Sequence, residues 1–197
     1  MMTETDSAAV PLFPLNSVVL PGGRIPLQLF EPRYLDMLSR CLRESSGFVV
    51  VLLQSGQEAG TAATFYDIGT YVDIIDFQKL DNGLLGIVVE GRRKVLVHNT
   101  WRQPDGLNLG QVDDLPAEPE RFLPSQFREL SGVLQALMKH PVVRDLGMRV
   151  NFEDASQVGW RLTELLPLET VEKQRLVELH DPEARLQRLQ ILLDGMA

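Results

Sequence analysis

Residues 48–53 are six apolar positions in a row, the longest unbroken hydrophobic run in the chain. With its β-branched residues it predicts, over 47–54, a strand buried on both faces. Shorter apolar runs at 10–15 and 25–30 are broken by proline and glycine. Residues 70–77 alternate imperfectly and lead into Asp81-Asn82-Gly83, a hairpin signal because Asn and Gly tolerate the positive φ of a type I′ turn. Residues 84–89 are the expected return strand. Glu90-Gly91 predicts another turn, 94–98 a further strand, and 107–112 the last of the series. Strands this short and closely spaced predict a small barrel or a strongly bent sheet over residues 10–115. One helix interrupts it. Pro32 suits a first helical position, and Tyr34, Leu35, Leu38, Cys41 and Leu42 follow at helical offsets.

Residues 113–121 combine two prolines with five charges and predict a linker. Beyond it the period becomes helical. Phe127, Leu130, Leu134, Leu137 and Met138 share one face, and Pro141 is expected to end that helix. Asp154 and Gln157 form a capping pair for a second helix, whose face is Val158, Leu162, Leu165 and Leu166. A third is expected over 170–179. Asp181 and Pro182 open a fourth, with Leu186, Leu189, Leu193 and Met196 on its face. The expected class is α+β: a β-rich unit with one inserted helix over 10–115, then a four-helix bundle over 122–197.

Composition narrows the picture by exclusion. The chain has 197 residues, 44% of them hydrophobic and 23% charged, which excludes wholesale disorder. A six-residue apolar run is far short of the roughly 20 residues of a membrane span. The opening residues carry Glu4 and Asp6 and no base, unlike a secretory signal; residues 1–9 are expected to be a polar lead-in, and the protein to be cytoplasmic. A single cysteine makes neither an intramolecular disulfide nor a thiolate zinc cage. The net charge is −8, and −5 over residues 1–115 from nine bases and fourteen acids. That balance disfavours nucleic acid, although Arg92-Arg93-Lys94 is a local basic run.

Candidate chemistry is sparse. None of the four lysines follows a glycine, so no phosphate-cradling G-K-[ST] loop exists, and no G-x-S-x-G elbow occurs. His98, His140 and His180 have no metal-ligand spacing, and the last two fall near expected helix C-termini. Cys41 sits at an apolar helical position and is read as core. Asp73 and Asp76, three apart, fall on opposite faces of a regular strand and do not form an acid–base pair. Trp101 and Trp160 are read as packing residues. No cofactor is implied.

Four segments carry a resemblance. They are Pro11-Leu-Phe-Pro-Leu-Asn-Ser-Val-Val-Leu-Pro21 with Ile25-Pro26-Leu27; Phe30-Glu-Pro-Arg-Tyr34; Ile68-Gly-Thr70 with the Asp-Asn-Gly turn and Val89-Glu-Gly91; and Leu165-Leu-Pro-Leu168 with Lys173-Gln174, Asp181 and Arg185-Leu186. In order and spacing they resemble the amino-terminal, substrate-binding domain of the ATP-dependent Lon protease family, over residues 10 to 193. The resemblance implies a PUA-like β-rich subdomain followed by a helical bundle. A complete Lon protease continues into an ATPase module and a Ser-Lys peptidase module, neither of which the resemblance covers. The expectation is therefore a module without catalysis that binds unfolded or partner polypeptides. The expected peptide-binding residues are Leu20, Pro21 and Ile25, flanking a flexible Gly22-Gly23 loop, and Arg33, on the polar side of the first helical turn. RNA binding, known for other PUA-like domains, is the alternative.

Overall fold

A computed structural model describes residues 9–56, 64–144 and 147–196. The expected lead-in lies outside these residues except for Ala9. The chain forms two compact units, Met1–Pro116 and Ala117–Ala197, a β-sheet unit and a helical one.

The first unit contains β1 (Val10–Leu15), β2 (Arg24–Leu29), α1 (Pro32–Glu44), β3 (Phe48–Ser55), β4 (Thr64–Phe65), β5 (Ile68–Lys79), β6 (Leu85–Arg102) and β7 (Asn108–Asp114). Pairing runs β1–β7–β6–β5–β3 and returns to β1, which lies parallel to β3. Strand β2 adds to β6, and β4 to β3. Strand β3 is buried on both faces, as its continuous apolar run predicts. Phe48 and Val50 join a core that includes Phe13, Met37, Leu38, Val72 and Ile87. Val49 and Val51 join a second one with Leu12, Val95 and Val97.

Three expectations change here. Residues 84–98 are not two strands around a Glu90-Gly91 turn; β6 runs unbroken through them for 18 residues. Its register against β5 shifts at Arg92 instead, a bulge. Glycine is needed at 91 for close approach, because a β-carbon there would overlap the Leu20 carbonyl oxygen. The hairpin is a three-residue loop closed by Leu80 N–H donating to the Leu84 carbonyl (2.8 Å), with positive φ at Gly83 (82°) and not at Asn82. It is therefore not a two-residue type I′ turn. The buried face of α1 centres on Tyr34, Met37, Leu38 and Cys41, leaving Leu42 42% exposed.

Both outer edges of the β2–β6–β5 arm are guarded against strand addition. Pro26 sits in β2 without an N–H to donate, and the register of β5 shifts at Ile75.

In the second unit a 3-10 turn (Ser125–Phe127) precedes α2 (Arg128–Met138), followed by a short α3 (Pro141–Arg144), α4 (Ala155–Leu165), α5 (Thr170–Glu178) and α6 (Pro182–Asp194). Pro141 ends α2 as expected but also opens α3. Asp154 caps α4 by accepting from Gln157 N–H (2.7 Å), and Asp181 caps α6 by accepting from Glu183 N–H (3.3 Å). The Gln157 side chain departs from the reciprocal pairing: its Oε1 accepts from Asn151 N–H (2.9 Å). The shared core includes Phe127, Leu130, Leu134, Val158, Leu162, Leu176, Leu186 and Leu189. Leu193 packs at its margin, and Met196 is 50% exposed.

Glu172 links α5 to α6 by accepting from Arg188 Nε (2.7 Å), and it also accepts from Arg175 (3.1 Å). The Arg188 bond, with help from Arg175, holds its carboxyl below the usual carboxylate range. A carboxyl whose pKa is lower folded than unfolded contributes stability above the unfolded pKa, and that contribution is lost as pH falls through the folded one. Glu172→Gln is therefore expected to lower the urea midpoint at pH 7. The gap to wild type should close as titration proceeds below the ordinary carboxylate range.

Candidate functional site

The loop before β2 is where sequence placed the apolar surface. Leu20 is 3% exposed, while Pro21 and Ile25 are half-buried. The Gly22-Gly23 segment is fixed rather than free. Gly22 N–H donates to the Gly91 carbonyl (2.8 Å), Gly91 N–H to Gly23 (2.9 Å) and Gly23 N–H to Leu20 (2.8 Å). The loop is thus sewn onto β6 at the point where Gly91 admits it.

Arg33 is 6% exposed, not solvated on the polar side of α1. Its guanidinium donates to the Gly106 carbonyl (2.8 Å), pairs with Glu31 (2.8 Å) and lies 4.7 Å from the Tyr34 ring centroid. It ties the start of α1 to the loop before β7. Gly106 itself has a positive φ (90°), which favours glycine at that turn.

Beside this anchor lies an open hollow of about 150 Å³. Pro14 and Leu15 at the end of β1, Pro26 and Leu27 on β2, and Phe30 and Tyr34 form most of its lining, with Gln28 and Glu31 at polar positions. Tyr34 packs on Phe13 with ring centroids 4.3 Å apart, giving the hollow a buried aromatic floor. Phe30 follows β2 where the chain turns into α1, and it is 60% exposed. A space of about this size accommodates a benzene ring, so one large apolar side chain fits. Of the four residues expected from sequence, none lines the hollow; Ile25 directly precedes Pro26, and Arg33 sits behind Tyr34. The missed residue is Phe30. Its signal was its place at the exposed end of an apolar run, next to the helix-starting Pro32.

The other candidate groups are structural. Cys41 is 1% exposed and its Sγ donates to the Gly47 carbonyl (3.4 Å). Burial pushes its thiol pKa up, which suppresses the reactive thiolate. Ellman's reagent is expected to leave native protein unmodified over minutes and to titrate one thiol promptly in denaturant.

The basic run at 92–94 is dispersed. Arg92 pairs with Asp73 (2.6 Å) and with Glu90; Arg93 pairs with Asp114 (2.7 Å) and stacks 4.0 Å from the Tyr71 ring; Lys94 is 5% exposed. Arg24 adds to the same ladder through Glu90 (2.6 Å). Arg92 and Arg93 thus face carboxylates and Lys94 faces the interior, and nothing here favours an RNA backbone. Asp73 serves Arg92, while Asp76 accepts from Phe77 N–H (2.8 Å). Trp160 is buried, but Trp101 is 43% exposed on β6 after the irregularity at Asn99, so its packing is partial. Among the described residues no cluster of three or more His, Cys, Asp or Glu side chains could hold a metal ion, and no helix is long and apolar enough to cross a membrane.

Comparison with known proteins follows the fold. The pattern of the ATP-dependent protease La (LON) substrate-binding domain matches residues 9–195. A crystal structure of a Lon N-terminal domain protein from Xanthomonas campestris superimposes with a TM-score of 0.79 at 34% identity, covering 93% of this chain and 98% of that one. Lon protease of Rhizobium meliloti is 23% identical over 97% of this chain but only 24% of its own length. Protein cereblon of Danio rerio is 32% identical over 58% of this chain and 26% of its own. The chain thus spans about a quarter of the length of these curated relatives. With a β-sheet unit and a helical unit in this order, and a pattern match over nearly all of its length, the chain belongs to the LON substrate-binding domain family.

Proposed function

We propose that this protein is a polypeptide-recognition module without catalysis of its own, and that the hollow beside Phe30 takes apolar side chains from unfolded or partner chains. In this reading the β-sheet unit is a PUA-like barrel or bent sheet, the helical unit is a four-helix bundle, and the subdomains are those expected at 10–115 and 122–197. The module works in the cytoplasm, without a cofactor. One observation carries the proposal. A phenylalanine 60% exposed stands at the lip of an apolar hollow with a buried aromatic floor, in a chain of the LON substrate-binding domain family. Such a site has few charges to fix a sequence, so it favours apolar content over a defined motif. Ile25 extends the contact along β2, and Pro21, in the loop just before that strand, extends it further. Leu20 and Arg33 act from beneath, by holding the loop and the start of α1.

The test is fluorescence anisotropy with a labelled, reduced and carbamidomethylated unfolded polypeptide. Burying a phenylalanine is worth about 1.5–3 kcal/mol, so Phe30→Ser is expected to weaken binding roughly tenfold or more. Its unfolding midpoint should barely move, because the side chain is mostly exposed. Equal affinity for wild type and variant would refute the proposal.

A further inference from the structure

Two loops of the β-sheet unit share one hydrogen-bond design. Between β5 and β6, Leu80 N–H donates to the Leu84 carbonyl (2.8 Å), Gly83 N–H to the Leu80 carbonyl (2.9 Å) and Leu84 N–H to Asn82 Oδ1 (3.0 Å). Between β6 and β7, Gln103 N–H donates to the Leu107 carbonyl (2.8 Å), Gly106 N–H to the Gln103 carbonyl (2.9 Å) and Leu107 N–H to Asp105 Oδ1 (2.9 Å). The two glycines have φ of 82° and 90°. Their surroundings differ. The Gly106 carbonyl accepts from Arg33 Nη1 (2.8 Å) and Arg102 Nε (3.0 Å), and a β-carbon on Gly106 would stand 3.0 Å from Arg102 Nη2. A β-carbon on Gly83 would meet nothing within 4 Å, and Asp81, Asn82 and Gly83 are all exposed. One loop is clamped by two arginines, and the other stands clear at its glycine.

The clear loop also carries a reactive pair. Of the five asparagines, Asn82 is the one followed by glycine; the others precede Ser, Thr, Leu and Phe. A side-chain carboxamide carbon is an electrophile, and the main-chain nitrogen of the next residue is placed to close a five-membered ring on it. Glycine leaves that nitrogen unshielded. The ring closed by the hydrogen bond from Leu84 to Asn82 contains both reacting atoms, Asn82 Cγ and Gly83 N, so the turn holds them on one short path. Leu84 N–H also points at Oδ1, the oxygen on which negative charge develops during attack. The one contact to be released is that of Gly83 N–H with the Leu80 carbonyl, at an exposed loop tip where local opening costs little.

We propose that Asn82 is a self-modification site, converted through a cyclic imide with Gly83 to aspartyl and isoaspartyl forms. Solvent base takes the Gly83 amide proton, and a bond forms between Gly83 N and Asn82 Cγ. The tetrahedral oxyanion collapses, the Cγ–Nδ2 bond breaks, and the departing nitrogen takes a proton and leaves as ammonia. One water then opens the imide. Cleavage of the bond from Cγ to nitrogen restores the ordinary main chain with a carboxylate side chain. Cleavage of the bond from the main-chain carbonyl carbon to nitrogen leaves the chain running through Cγ, with an extra methylene in it. That methylene lengthens a loop whose flanking pair is Lys79 and Leu85, and Leu85 lies opposite Leu29, next to Phe30. On the reading proposed above, the isoaspartyl form therefore slackens the lip of the hollow.

Incubating the folded full chain at mildly alkaline pH tests this, with peptide mapping by mass spectrometry and enzymatic methylation of isoaspartyl carboxyls as readouts. Position 82 is expected to lose its amide first, mostly to the isoaspartyl form, while the other four asparagines stay intact. Gly83→Ala, whose β-carbon shields the attacking nitrogen, should slow the conversion about tenfold. Asp105→Asn gives the clamped loop the same reactive pair, and it should react about tenfold more slowly than position 82 in the same sample. Adding Arg102→Ala should narrow that gap. An amide that persists at position 82 while a free peptide of the loop sequence converts fully overturns the proposal. Equal rates at the two loops in Asp105→Asn overturn the role given to the arginine clamp. Anisotropy with the unfolded polypeptide is expected to show weaker binding by the converted chain; unchanged affinity overturns the link to the hollow and not the modification.

Discussion

Replacing Arg185 with methionine is expected to remove about 3–5 kcal/mol of stability, the cost of leaving a buried charge without its partner. Arg185 is wholly buried. Its guanidinium pairs with Glu118, whose side chain is 8% exposed, with Nη1 donating to Oε2 at 2.9 Å. It also donates to the Leu176 carbonyl (3.1 Å) and the Leu179 carbonyl (2.8 Å), and it stacks 3.3 Å from the Trp160 ring centroid. Ser156 Oγ donates to the same Glu118 carboxylate at 2.7 Å. One cation thus gathers α4, the end of α5, α6 and the segment that leads into the helical unit. Burial drives its pKa down and Glu118 opposes that; the guanidinium stays charged in any case, and the carboxylate offsets the cost of taking that charge out of water. Gly159 makes the room: a β-carbon there would stand 3.2 Å from Arg185 Cδ.

The energetic logic predicts an asymmetry. Arg185→Met alone strands the Glu118 carboxylate. Exchanging both partners for apolar residues, Glu118→Leu with Arg185→Met, removes the desolvation cost of both charges and should recover much of the loss. It will not recover all of it, because the Leu176 and Leu179 carbonyls lose a donor. Urea unfolding of wild type, single and double variants measures this. A single variant within 1 kcal/mol of wild type would show that the pair does not hold the unit together.

Gly91→Ala is expected to cost about 3 kcal/mol, at the upper end of what overpacking does in a core. The added carbon would meet backbone, the Leu20 carbonyl oxygen, which cannot rotate away as a side chain can. Relief requires breaking the hydrogen bonds that tie Gly22 and Gly23 to β6. Gly132→Ala is the matched control. It lies inside α2 with open space around it, and there the better helix former should raise stability by about 1 kcal/mol. Equal effects at the two positions would contradict the close-approach account of Gly91.

What could be read from sequence was what depends on neighbours a few residues away. The buried run of β3, the opening of α1 at Pro32, and the caps Asp154 and Asp181 all rest on local pattern and local hydrogen bonds. The hairpin at Asn82-Gly83 was misread locally, but most of the other errors share a cause: partners distant in the chain. Glu90-Gly91 looks like a turn because glycine usually marks one, whereas here glycine answers the Leu20 carbonyl lying alongside. Arg33 sits at a position that helical offsets assign to solvent, but its acceptor at Gly106 is 73 residues away. Arg185 and Glu118 are 67 apart, and no spacing rule couples them. The hollow beside Phe30 was hidden for the same reason, since β1, β2 and α1 each supply part of it. The resemblance to Lon domains indicated the family but not which surface faces a ligand.

The claim that this chain grips other polypeptides without altering them is tested most directly by amide chemical shifts of the labelled protein, followed during titration with the unfolded polypeptide. Perturbations are expected to cluster at Leu15, at Leu27 to Tyr34 and on the adjoining part of β6, to be lost in Phe30→Ser, and to leave the added chain intact. An absence of perturbation there at high micromolar concentration, or cleavage of the added chain by the purified protein alone, would contradict it.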